Sequence, residues 1–225
     1  MKKLMMTLAA ALSATALMAE VTSQVVGFMT EESNGGYRSL SVKFQAIGAN
    51  GGEFNITNII DGTTVAQYSD FLQVYDPNLG FINYVWNGSA WVDDVNFAPV
   101  SLNVVPGNGF LMQAAASWKQ LGEVASTTTY VHAIPLSTFV FVGNAFPAAQ
   151  TLANFDWSEV VQYTDFLQLY DPNLGFINYV WNGSAWVDDL NFAPIPISTA
   201  AEGFLFMSYT VASLTQRLSP PYYAE

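Results

Sequence analysis

Eighteen carboxylates, six tryptophans and one histidine are the side chains from which this 225-residue chain could build a site; cysteine is missing altogether. Without a thiol, a cysteine nucleophile, a thiolate zinc site, an iron–sulfur cluster and a disulfide framework are all excluded. The one imidazole, His132, sits in the strand-like run Tyr130–Ile134 with no nucleophile motif beside it, so it reads as a structural strand residue. A glycosidase needs two carboxyl groups about 5–10 Å apart. Asp93 and Asp94 are neighbours on a strand and point to opposite faces, whereas Asp70 and Asp76 share a face but lie ~20 Å apart at ~3.4 Å per residue. No local pair fits, which leaves a glycan hydrolase with dispersed acids as the third-ranked function.

Calcium and stacking are the remaining chemistries. Asp76-x-Asn78-x-Gly80 opens like a calcium loop, but its glycine comes one position early and Asn87 stands where a bidentate glutamate is needed. The better oxygen cluster is Asp93, Asp94 and Asn96, repeated as Asp188, Asp189 and Asn191, a candidate Ca²⁺ site at a strand end; no other cofactor is expected. Tyr84, Trp86 and Trp91, with Tyr179, Trp181 and Trp186, form the candidate ligand-binding set, because flat sugar faces stack on such rings. The same rings are equally the usual filling of a β-sandwich core.

The elements that position these residues occur twice. Residues 67–99 and 162–194 are identical at 30 of 33 positions; Ser69/Thr164, Val74/Leu169 and Val95/Leu190 are the exceptions. Weaker similarity continues through Gly109–Met112 and Gly203–Phe206, and through Ala116–Gln120 and Ala212–Gln216. The period is that of a duplicated domain, not of a solenoid repeat. Each copy reads as all-β: a strand at 71–75, turn chemistry at Asp76–Gly80, a strand at 81–86 and a hairpin at Asn87-Gly88-Ser89 leading into Trp91. Either two-residue turn gives the same faces, Ile82, Tyr84, Trp86, Trp91 and Asp93 on one, Phe81, Asn83, Val85, Ala90 and Val92 on the other. Both are apolar enough for burial, so which one meets solvent stays open. The best helical candidate is the short stretch Ala148–Trp157. The expected architecture is two tandem β-sandwich-like repeats, at 20–122 and 123–219, followed by a tail at 220–225. The alternative is a single pseudo-two-fold sandwich or barrel built from both copies.

Residues 1–19 have two lysines, a short apolar run and a small-residue region, the pattern of a secretory signal peptide. Cleavage after Ala16 or Ala19 fits, the latter leaving a polar start. Removing this leader leaves four cations against 18 acids, a net charge of −14. Four scattered cations cannot form the basic patch that nucleic acid or an anionic membrane requires. No later apolar run has the length of a transmembrane anchor. The run Val142–Pro147, the aromatic strands around Tyr170 and Tyr179–Trp181, and Glu202–Phe206 resemble a module of uncharacterised exported bacterial surface proteins, written GNPxP, aromatic hairpins, GxGF. Ala145 stands where that pattern has proline. The resemblance implies a cell-surface or extracellular β-module and carries no catalytic residue. The resulting expectation is an exported, non-catalytic structural or adhesive protein of the surface, periplasm or extracellular space, with self-association or surface proteins as partners. The alternative is a carbohydrate-binding module with a glycan partner.

Overall fold

The computed structural model describes residues 26–49 and 52–218. The expected leader and the tail at 220–225 lie outside the described residues. The first repeat contains β1 (Val26–Glu31), β2 (Tyr37–Ser41), β3 (Phe54–Asn55), β4 (Phe71–Asp76), β5 (Gly80–Trp86), β6 (Trp91–Asp93), β7 (Asn103–Val104), β8 (Gly109–Gln113) and β9 (Trp118–Glu123). The second contains β10 (Thr129–Ala133), β11 (Val140–Gly143), β12 (Phe166–Asp171), β13 (Gly175–Trp181), β14 (Trp186–Asp188), β15 (Gly203–Met207) and β16 (Ser213–Arg217). The fold is all-β, in two tandem repeats. Each has a five-stranded antiparallel sheet, in the order β2-β8-β4-β5-β6 or β11-β15-β12-β13-β14, and a separate strand pair, β1-β9 or β10-β16. The first repeat adds the short pair β3-β7 where the second has a single bridge from Thr151 to Ala200. Because β9 runs through Glu123, the link between repeats is the segment 124–128. The stretch Ala148–Trp157 forms only a single 3₁₀ turn at Leu152–Asn154.

Local chemistry sets the hairpins. Asp76 Oδ1 accepts the amides of Asn78 and Leu79 at 2.8 and 3.0 Å and turns the chain back at Gly80. At the second hairpin Asn87 Oδ1 accepts the amides of Ser89 and Ala90, both at 2.9 Å, so that Trp86 pairs with Trp91 across β5 and β6. This is the Gly88-Ser89 register, and the faces fall as the alternation requires.

Both faces of each sheet are used. One face, carrying Leu72, Tyr84, Trp86, Trp91 and Met112, packs beneath the loops and the β1-β9 pair of its own repeat; the second copy builds the same core around Leu167, Tyr179, Trp186 and Phe206. The opposite faces of the two sheets meet each other through Leu111, Phe141 and Leu205, with Tyr75, Phe81, Tyr170 and Phe176 packed around them. At the centre Phe81 stacks on Phe176, the same residue of the other copy, at 5.3 Å between centroids. Tyr75 and Tyr170 flank the stack symmetrically, each 5.2 Å from its own phenylalanine. The pseudo-two-fold arrangement therefore arises at the junction between repeats, while each repeat keeps its own core. Gly109 and Gly203 permit the approach: a Cβ on the first would lie 2.4 Å from the Phe141 ring, and one on the second 2.5 Å from the Leu40 carbonyl oxygen.

Candidate functional site

The expected aromatic platform is core, which corrects the reading of those residues as a ligand surface. Tyr84, Trp86, Trp91, Tyr179 and Trp186 are buried and Trp181 is partly buried. Trp86 meets Trp91 edge to face at 5.5 Å, and Trp181 meets Trp186 likewise at 5.4 Å. Their strand face is the one turned towards the repeat's own cap, and two-face burial is what alternation alone could not reveal. Burial, and secondarily the neighbouring Asp93 and Asp76 carboxylates, pushes the Tyr84 phenol above its ordinary range; Asp188 and Asp171 act on Tyr179 in the same way.

The candidate calcium oxygens do other work. Asp93 Oδ1 accepts the amides of Val95 and Asn96 at 3.0 and 2.9 Å, and Asn96 Oδ1 accepts that of Ala98 at 2.8 Å. Asp188 and Asn191 repeat the pattern at 2.9, 3.0 and 2.8 Å. Asp94 and Asp189 follow these capping acids without joining them in a ligand set. Among the described residues no group of three or more His, Asp or Glu side chains is placed to hold a metal ion. His132 is buried, its Nε2 3.3 Å from Gln216 Oε1, and burial lowers its pKa to about 4.

An open cleft lies on the opposite face of the sheet, beyond the junction. Along that face the Tyr75–Phe81 pair gives way to Gln73 hydrogen-bonded to Asn83 at 2.6 Å, and then to the Phe71–Val85 pair. There Tyr68, Phe71, Val85, Asp94 and Phe97 line an open cleft of about 510 Å³. The Tyr68 and Phe97 rings meet edge to face at 6.1 Å, and each is 57% exposed. Both residues adopt a left-handed backbone at φ 56°, a region unfavourable for bulky L-residues. Two carboxylates hold them there. Buried Asp70 accepts the amides of Ala66 and Ala115, both at 2.8 Å, and the Tyr68 amide donates to the Trp86 carbonyl at 2.7 Å. Asp93 caps the second turn, from whose backbone carbonyl Phe97 takes a 2.9 Å bond. The Tyr37 phenol is raised mainly by burial and then by the Asp94 carboxylate and Tyr170, partly offset by a hydrogen bond with Gln73.

The second copy repeats the set as Tyr163, Phe166, Val180, Asp189 and Phe192. Tyr163 and Phe192 are 57% and 60% exposed, at φ 56° and 59°. Four aromatic side chains thus stand exposed on strained backbone, all within the duplicated block. Sequence reasoning missed them because the left-handed positions themselves hold tyrosine and phenylalanine, not the glycine or asparagine that normally marks such a position. The available signal was identity: Tyr68 and Phe97 fall within the near-invariant 33 residues although neither contributes to the core. Comparison with models of protein families, with curated proteins and with solved structures finds no match to this chain.

Proposed function

We propose that the protein is an exported, non-catalytic interaction protein of the cell surface or extracellular space, working through two copies of one exposed aromatic pair. The observation that carries this reading is the pairing of exposure with strain: Tyr68, Phe97, Tyr163 and Phe192 hold large apolar rings in water on unfavourable backbone, in both repeats. Strain of this kind is concentrated at binding and switch sites. The leader pattern at residues 1–19, the acidic composition and the resemblance to exported surface modules support the location. Two equal sites on one chain suit avidity, in which a second weak contact becomes intramolecular.

The test is retention of the labelled mature chain on cell envelopes and extracellular polysaccharide of the producing cells. Wild-type protein is retained, removal of either cleft by Tyr68→Ala with Phe97→Ala, or by Tyr163→Ala with Phe192→Ala, weakens retention more than tenfold, and removal of both abolishes it. Equal retention of all four proteins overturns the reading. A carbohydrate-binding role is the second reading, favoured by a tyrosine ring beside the Asp94 carboxylate in an open cleft. It predicts glycan-array binding that is lost in Tyr68→Ala/Tyr163→Ala.

A further inference from the structure

Part of the outer face of each sheet is covered by a copy of itself. Tyr75 and Phe81 of the first sheet meet Tyr170 and Phe176 of the second, so this face is complementary to its own sequence. One strand-pair position further along, past Gln73 and Asn83, the same face continues as Phe71 and Val85 and opens into the cleft under Tyr68 and Phe97. Val85 is itself buried, so what stays open is the partly buried Phe71 with the exposed Tyr68 and Phe97 rings, continuous along this face with an established self-interface, and Asp94 is the one charged side chain lining the cleft. Resting on the reading of the cleft as an interaction surface, we infer that each cleft docks on the same cleft of a second copy of this chain, and that the protein thereby assembles into open-ended chains.

The geometry of duplication decides between a dimer and a polymer. A single patch that pairs with itself closes a two-fold dimer. This chain carries two such patches, and one docking event occupies one of them, leaving Tyr163 and Phe192 as exposed as before. Growth continues from the free patch. The net negative charge opposes approach of like copies, so added salt screens the repulsion and favours assembly.

Sedimentation velocity on the full mature chain, at rising concentration and at low and high salt, tests this. Wild-type protein is expected to exceed twice the chain mass without a plateau, further at high salt. Phe97→Asn and Phe192→Asn, each chosen because asparagine accepts the left-handed backbone, are expected to stop at twice the chain mass, and the double variant to remain at one. Near-ultraviolet circular dichroism and unfolding midpoints matching wild type verify that the variants fold. A wild-type chain that stays monomeric, one that stops at a closed dimer, or a folded double variant that still polymerises overturns the inference. A monomeric wild type still retained on envelopes through these side chains overturns self-docking and leaves the proposed function standing; loss of both assembly and retention overturns both.

Discussion

The two repeats solve one buried polar position in opposite ways. In the first, the Gln120 side chain accepts the Lys43 amide at 3.2 Å and donates to Glu31 Oε1 at 2.9 Å. In the second, Gln216 accepts the Ala145 amide at 3.0 Å and faces His132. Strand register makes the positions equivalent: Glu31 pairs with Trp118 and His132 with Leu214, two residues before each glutamine. One copy thus buries an ion pair, Lys43 to Glu31 at 3.1 Å; the other places alanine and a neutral imidazole in the same lattice. Both pockets abut the other repeat. Lys43 Nζ also reaches Glu202 at 2.5 Å, and Gly107 backs so closely on His132 that a Cβ there would lie 2.3 Å from the ring. The glutamine frame therefore specifies hydrogen bonding and leaves electrostatics free to diverge, whereas the cleft in the duplicated block has kept its residues.

The largest expected effect breaks the charged version. Lys43→Met strands Glu31 in the core and should cost about 3–5 kcal/mol of unfolding free energy, read by urea titration; adding Glu31→Gln, which removes the fully buried carboxylate and leaves only the partly exposed Glu202, should recover most of it. The neutral version fails with acid instead. His132 titrates near 4 when folded against about 6.5 when unfolded, so the unfolded chain binds more protons between these values. Its contribution is complete above pH 6.5 and disappears as pH falls towards 4, about 3 kcal/mol in all by linkage. His132→Gln should flatten that part of the stability profile, measured by denaturant midpoints across the window. At the junction, Gly203→Ala should cost about 1–3 kcal/mol through overpacking, because its Cβ meets the Leu40 carbonyl and Ser39. The smallest effect has the opposite sign. Phe97→Gly relieves a left-handed phenylalanine and should leave stability unchanged or raise it by up to about 1 kcal/mol, as a calorimetric melt would show.

Much of the scaffold was legible in the sequence. The all-β class, the duplication and the hairpin faces follow from period-2 alternation and from Asp76, Asn87 and their glycines, which act locally. The assignment of faces was not legible, because Trp86 and Phe81 lie on opposite sides of one strand and both sides are buried. The second burial involves a partner sheet about 95 residues away in sequence. The cleft was hidden for a related reason: Tyr68 and Phe97 look like any strand-flanking aromatics until the Asp70 and Asp93 caps fix their backbone. Asp93, read as a possible cation ligand, is a turn cap that positions a ring.

Under the proposed function, the exposed rings of the outer face carry interaction and the tryptophan core does not. Measuring unfolding and envelope retention together on Phe97→Gly/Phe192→Gly tests it most directly. The expected result is a folded chain, as stable as wild type or more so, whose retention is lost. A folded variant that is retained as strongly as wild type would contradict it.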